Sequence, residues 1–219
     1  MPQIKSLLEI PGDYLEGGGQ ILRTALALSV IAQRPVRIFN IRLKRENPGL
    51  RQQHFNTLWA LKEISDARVE GFYLGSREIK FYPLRIKSCE LDIDIKTAGS
   101  IGLTLQPLIP VGCFSSLGLT LNIKGGTSGR GAIPIEYYWG VIIPILKRIG
   151  IEVKLDLIKR GYYPKGGGEV KVRIEPKINF TPLNLTEQGG LIKIEGISHA
   201  NGNLKKQRVA ERQKDKAEE

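Results

Sequence analysis

The sequence predicts an α/β protein built from a repeated unit of two helices and a four-stranded sheet. Three observations carry that expectation. Val- and Ile-rich runs alternate with stretches whose apolar residues recur at spacings of three and four. Short matches recur in the same order along the chain, at offsets that drift only from 83 to 90 residues. Of 219 residues, 41% are hydrophobic, and the charged 25% carries both signs, which supports a packed core and excludes a disordered chain.

The first copy opens with a strand at 8–13, followed by a helix at 18–32 that three glycines introduce. A strand at 35–43 leads to a helix at 48–65, where Pro48 suits the first helical turn. Strands at 67–73 and 78–83 close the copy. The second copy reads as strand 90–96, helix 99–113, strand 117–124, helix 133–149, and strands 151–158 and 168–174. Gly19-Gln-Ile-Leu-Arg-Thr-Ala-Leu26 corresponds to Gly102-Leu-Thr-Leu-Gln-Pro-Leu-Ile109 at an offset of 83, which pairs Arg23 with Gln106. Leu61-Lys-Glu-Ile64 corresponds to Leu146-Lys-Arg-Ile149 at 85, and Gly71-Phe-Tyr to Gly161-Tyr-Tyr at 90. Helices alternating with strands in this way pack on sheets. A third segment follows, with an apolar strand expected at Gly190–Ile197 and a polar helix over 204–219. No closing cap follows that helix, so the sequence is expected to be a fragment of something longer.

Net charge is 33 − 22 = +11, and it is concentrated. Residues 34–51 hold Arg34, Arg37, Arg42, Lys44, Arg45 and Arg51 against Glu46 alone, a net of +5. Such a cluster is either a solvated face or a surface for a phosphate-rich partner, since arginine forks match phosphate oxygens. Two cysteines, Cys89 and Cys113, make no disulfide framework and no CxxC pair, so a reducing cytoplasmic location is expected. No signal-peptide pattern is read at the N-terminus. The uncharged window Gly102–Leu121 contains Pro107, Pro110 and Gly112, and reads as a buried helix, turn and strand rather than a membrane span.

The glycine loops and their charged neighbours carry the chemical signal. Glu16-Gly-Gly-Gly-Gln-Ile-Leu-Arg23 places flexible backbone before a helix start, where free N–H groups attract an anion. It has neither P-loop nor dinucleotide-binding spacing, and a tight strand-to-helix turn is the bland alternative. In Arg42-Leu-Lys-Arg45-Glu-Asn-Pro-Gly-Leu-Arg-Gln-Gln53-His54, arginines, an amide and an imidazole converge at one strand end, where open α/β sheets place ligands. Lys124-Gly-Gly-Thr127 and Tyr163-Pro-Lys-Gly-Gly-Gly168 read as turns, with Lys165 within reach of a phosphate. Asp92 and Asp94 share one strand face and read as solvated. His199 reads as surface, and Trp59 and Trp139 as core.

Taken together and in order, Glu16–Arg23, the Arg42 to His54 block, Ala98-Gly-Ser to Gln106, Gly125-Gly-Thr127 and Arg160-Gly-Tyr-Tyr-Pro-Lys-Gly-Gly-Gly168 resemble the RNA 3′-terminal phosphate cyclase family. The resemblance is close over about 8–176. It implies a large domain over 1–177, containing two of the family's three repeats at about 1–87 and 88–177, and the start of a small inserted α/β domain over 178–219. It further implies an ATP-dependent, ligase-class activity in RNA processing. A histidine takes AMP from ATP, the AMP passes to an RNA 3′-phosphate, and the adjacent 2′-OH closes a 2′,3′-cyclic phosphate. The partners implied are ATP, Mg²⁺ or Mn²⁺, and RNA with a 3′-phosphate end. By the same resemblance Glu16 contacts metal and nucleotide and Gln106 contacts ATP. Arg23, Arg42, Arg45, Gln53 and His54 hold phosphate and the RNA end. The family's nucleophilic histidine lies in a C-terminal motif that neither His54 nor His199 matches, so this chain is expected to lack it. The loop Ser128-Gly-Arg-Gly-Ala-Ile-Pro134 also departs from the family's pattern. The alternative function is a non-catalytic RNA-binding relative acting in ribosome assembly; a weaker fold analogy leads to the enolpyruvyl transferases.

Overall fold

A computed structural model describes residues 6–129, 131–177 and 179–219. Residues up to Pro182 form one compact unit, and Leu183–Glu219 form a second.

The first unit repeats one topology. Strands β1 (Leu8–Pro11), β2 (Val36–Phe39), β3 (Arg68–Glu70) and β4 (Ile79–Tyr82) form a sheet in the order β1-β2-β4-β3. Helix α1 (Gly19–Ala32) links β1 to β2, and α2 (Gln52–Ser65) links β2 to β3. Strands β5 (Cys89–Asp94), β6 (Leu119–Gly125), β7 (Val153–Lys159) and β8 (Gly168–Ile174) form a second sheet in the order β5-β6-β8-β7. Here α3 (Ile101–Cys113) takes the place of α1. The place of α2 is filled by α4 (Ile135–Tyr137), a π turn (Tyr138–Ile142) and α5 (Ile143–Arg148) run together. In both sheets the first two strands are parallel and the other pairings antiparallel. The two crossover helices α1 and α3 are what such parallel pairs require.

Strand alternation builds the core. Leu119, Leu121 and Ile123 on β6 face inward beside Val170, Val172 and Ile174 on β8, and Ile79 and Phe81 on β4 do the same in the first sheet. Leu22, Leu26 and Val30 of α1 and Leu58, Leu61 and Ile64 of α2 repeat at helical spacing and are fully or nearly buried. Helix α3 is buried almost all round and packs against both α1 and α2, so a single apolar cluster spans the two repeats. Its sequence, free of charge and interrupted by Pro107 and Pro110, suits that interior position. Among the described residues no helix is long and apolar enough to cross a membrane.

Four expectations are corrected. Helix α2 begins at Gln52 rather than at Pro48, because Gly49 adopts φ +78° and Arg51 is extended. Gly190–Ile197 is not a strand: Leu191, Ile192 and Ile194 are 81%, 95% and 86% exposed, and no described strand pairs with them. In that second unit a 3₁₀ turn (Gly202–Gln207) precedes helix α6 (Val209–Glu218), where Ser198 Oγ donates to the carbonyl of Ala210. Trp139 is 60% exposed rather than core, since the π turn rotates it off the buried face of Ile135 and Tyr138.

Candidate functional site

Helix α1 starts with an uncapped end. Gly18 precedes it in extended conformation with no side chain to accept from the first-turn N–H groups, and no acid lies in that turn. These donors and the helix dipole together favour an anion. Gly17 is left-handed at φ +58°, which turns the chain so that Gly18 and Gly19 lie bare.

Three side chains close on this bare backbone. A methyl group on Gly19 would lie 2.2 Å from His54 Nε2 and 3.0 Å from Arg23 Nη1, and one on Gly18 would lie 3.2 Å from Arg45 Nη2. The loop that brings Arg45 here is held by Arg42, itself left-handed at φ +53°. Arg42 Nη1 donates to the carbonyls of Asn47 (2.6 Å) and Gly49 (3.0 Å). Lys44 Nζ donates to the carbonyl of Leu15 at 2.9 Å and ties that loop to the glycine turn.

His54 is fixed in one tautomer by its own helix. It sits at the third position of α2, and its Nδ1 accepts from the Arg51 backbone N–H at 3.3 Å, the reach-back half of a capping box. In the neutral ring the proton is therefore on Nε2, the nitrogen facing Gly19. Burial, then Arg42, Arg23 and Arg51, lower the His54 pKa to about 3. The ring is thus a neutral N–H donor at physiological pH.

Arg23 is 6% exposed and joins the two repeats. Its Nε donates to Gln106 Oε1 at 3.0 Å and its Nη2 to Gln20 Oε1 at 3.2 Å. Burial lowers its pKa, yet a guanidinium keeps its charge. Gln53 makes a second tie across the seam, where its Oε1 accepts from the Ser100 N–H at 3.3 Å. Ser100 caps α3 by accepting from Leu103 N–H at 3.2 Å.

The second repeat copies the packing of this site but not its charge. Gly102 stands where Gly19 does, and a methyl there would lie 2.9 Å from Tyr138 Cε2. Tyr138 stands 84 residues after His54, in the helix corresponding to α2. Its hydroxyl donates to the Gly102 carbonyl at 2.6 Å. Burial pushes its pKa up to about 12, so it stays protonated. Tyr138 was not among the expected residues: the offset of 83 that pairs Arg23 with Gln106 carries His54 to Tyr137, one residue short of it. Beside Tyr138 and Gln106 opens an apolar cleft of about 520 Å³, walled by Leu103, Ile133, Ile142 and Ile151.

The expected residues divide accordingly. Arg23, Arg45 and His54 meet at the helix start; Gln106 touches Arg23; Gln53 lines the seam next to them; and Arg42 holds the loop. Glu16 lies exposed on the same turn. Among the described residues no group of three His, Cys, Asp or Glu could hold a metal ion. A single carboxylate fits a hard cation bound chiefly through phosphate oxygens and water. Thr127 Oγ1 accepts from the Gly161 N–H at 3.1 Å, so that glycine pair is a structural clasp between two turns.

The buried neutral imidazole gives a pH-dependence of stability. With a folded pKa of about 3 against 6.5 unfolded, the unfolded chain binds a proton between these values that the folded chain refuses. Above pH 6.5 His54 contributes no slope; as pH falls through the window, stability is lost by up to about 1.4 kcal/mol per unit. Urea melts at pH 7 and 4.5 are expected to show a smaller acid loss for His54→Asn than for the unaltered protein. Equal losses would mean that His54 is not held neutral.

The family model for RNA 3′-terminal phosphate cyclase matches residues 14–215. The chain is 46% identical over 213 residues to an RNA 3′-terminal phosphate cyclase of Ignicoccus hospitalis, covering 97% of this chain and 60% of that protein. It is 49% identical over 195 residues to one of Caldivirga maquilingensis, covering 89% and 55%. With one of Pyrococcus furiosus it shares 47% over 207 residues, covering 94% and 60%. The chain spans about three fifths of the length of these relatives.

Proposed function

Because this chain belongs to the RNA 3′-terminal phosphate cyclase family, we propose that it binds the 3′-phosphate of an RNA for ATP-dependent conversion to a 2′,3′-cyclic phosphate. The observation that carries this reading is the convergence of the uncapped α1 start, Arg23, Arg45 and the His54 Nε2–H. All are donors, and two carry fixed positive charge, so the cradle suits a dianionic terminal phosphate better than a neutral hydroxyl end. Holding that phosphate fixes its oxygens for activation and its phosphorus for the neighbouring 2′-OH.

The apolar cleft beside Gln106 and Tyr138 is the place proposed for the ATP base. Gln106 Oε1 is spent on Arg23, and its amide N–H groups are left to face the nucleotide. Arg23 then links the nucleotide and RNA ends of the site through one side chain. Glu16, on the turn that leads into the cradle, would supply one oxygen to Mg²⁺ or Mn²⁺, which neutralises phosphate charge when bound. In the proposed route a histidine takes AMP from ATP with release of pyrophosphate, the AMP passes to an oxygen of the RNA 3′-phosphate as the bond to histidine breaks, and the 2′-OH then attacks that phosphorus and expels AMP. His54 serves in it as a phosphate ligand, its Nε2 proton directed at the anion.

The test compares oligonucleotides ending in 3′-phosphate and in 3′-hydroxyl by fluorescence anisotropy. The unaltered protein is expected to prefer the phosphate. Arg45→Ala should lower affinity for it about tenfold to a hundredfold, the loss of one hydrogen bond to a charged group. It should also flatten the slope of log K against log salt by roughly 0.7. Equal affinity for the two ends would refute the assignment.

A further inference from the structure

A second groove lies at the seam of the two repeats, beside the start of α2. It has a volume of about 580 Å³ and is walled by Leu50, Arg51, Gln52 and Leu74–Gly75 on the first repeat, and by Thr97 and Gly99 on the second. Gln53 and Gly99 belong both to this groove and to a smaller hollow at the start of α3, so the two are continuous along the seam. Gln53 immediately precedes His54. Gln53 thus places the groove on the same helix start of α2 as His54.

The lining combines one cation, Arg51, with neutral residues. It contains no carboxylate. Arg51 is exposed, and its guanidinium makes no ion pair among the described residues, although its charge is felt at His54. Lys96, exposed and left-handed at φ +60°, precedes the lining residue Thr97. The side chains of Gln52 and Thr97 add neutral polar groups to the lining.

Two exposed aromatic rings belong to loops that reach the lining residues. Tyr73 is 63% exposed and directly precedes the lining pair Leu74–Gly75. Its neighbour Phe72 is stacked on Phe55 of α2 at 4.2 Å, which anchors the loop while leaving Tyr73 outside. On the other side Tyr163 is 84% exposed in the turn that closes on Thr97: a methyl on Gly166 would lie 2.5 Å from the Thr97 carbonyl oxygen. Large exposed rings beside a cationic channel are what single-stranded nucleic acids use, because any base can stack on them. A duplex offers its bases no such access.

We propose that this groove carries the single-stranded nucleotides that precede the 3′-phosphate, with Arg51 on their backbone and Tyr73 and Tyr163 stacking their bases. The proposal rests on the reading of the cradle as a 3′-phosphate site. It makes the protein prefer an unpaired RNA end, and it sets the direction of the chain: terminal phosphate at the α1 start, upstream nucleotides toward Gly75 and Thr97.

The experiment measures affinity against RNA length. The probes are a nucleoside 3′-monophosphate, single-stranded RNAs of increasing length with a 3′-phosphate, and a blunt duplex with the same end. The unaltered protein is expected to bind the longer single strands more tightly than the mononucleotide and than the duplex. Tyr73→Ala should remove roughly tenfold of that gain, within the range for one stacked base, and Arg51→Ala should also lower its salt dependence. Both variants should bind the mononucleotide within twofold of the unaltered protein, which also shows that the fold is intact. No gain with length, equal binding of the duplex, or a full gain in both variants would overturn the groove while leaving the 3′-phosphate site standing. Loss of the preference for 3′-phosphate over 3′-hydroxyl would instead sink the site reading on which it rests.

Discussion

Replacing Gly49 by alanine is expected to cost about 3–5 kcal/mol of stability, near the top of the range for a single substitution. The position is strained in two independent ways. Its φ of +78° lies in the left-handed region, which costs a residue with a Cβ roughly 1–2 kcal/mol. The added methyl would also lie 2.1 Å from the Gly75 carbonyl oxygen and 2.9 Å from that of Ser76. Both oxygens are on backbone that cannot yield freely. Gly75 N–H donates to the Leu50 carbonyl at 2.8 Å, Leu50 N–H to Ser76 at 2.9 Å, and Gly49 N–H to Ile41 at 2.8 Å. Relieving the clash would break this ladder, which sets the loop between Arg42 and α2. Gly75→Ala is the control: its φ is +82°, yet nothing lies within 4 Å of the new methyl, so about 1–2 kcal/mol is expected. Urea midpoints should separate the two variants clearly. Similar losses would show that the loop opens at little expense and that the contact is not a constraint.

Much of the fold could be read from the residues because local pattern and tertiary environment agree there. Leu119, Leu121 and Ile123 alternate, and they face a core; Leu22, Leu26 and Val30 recur at helical spacing, and they are buried. The repeat offset is a sequence property with a spatial consequence, because Arg23 and Gln106 are bonded to one another across the seam. Pattern failed where the outcome depends on partners the local sequence does not contain. Gly190–Ile197 has strand composition but no strand beside it among the described residues, and a lone strand has no ladder to satisfy. The start of α2 escapes pattern because one backbone angle, at Gly49, decides it. The π turn at Tyr138–Ile142 leaves no signature in composition, and it turned Trp139 outward. Residue types named the side chains that gather at the α1 start, but their division of labour needed coordinates. Nothing in the spacing of Arg42 and Arg45 says that Arg42 holds carbonyls while Arg45 lies against Gly18.

Gly19→Ala is expected to uncouple binding from stability, and it tests the cradle more directly than removal of a charge. Gly19 is the first residue of α1 and has no left-handed requirement, so alanine suits the helix there. Helix propensity alone would make the change favourable by up to about 1 kcal/mol. The new methyl, however, would lie 2.2 Å from His54 Nε2, 2.8 Å from His54 Cδ2 and 3.0 Å from Arg23 Nη1. These are side-chain atoms, so they are the groups that move. His54 must leave its hydrogen bond from Arg51 or rotate away from the helix start, and Arg23 must loosen from Gln106. The methyl also covers the N–H groups that the anion would approach. Losing two hydrogen bonds to a charged group amounts to about 3 kcal/mol, so affinity for a 3′-phosphate end should fall roughly a hundredfold. The helix propensity gained offsets part of the native bonds lost, so stability in urea should fall by about 1–2 kcal/mol at most, less than the loss in binding. Gly140→Ala, with nothing within 4 Å of the added methyl, should alter neither. Gly102→Ala presses on Tyr138 instead of His54, and should weaken ATP while leaving the RNA end bound. If Gly19→Ala binds 3′-phosphorylated RNA as tightly as the unaltered protein, the anion does not sit at this helix start, and Arg23, Arg45 and His54 must be assigned another role.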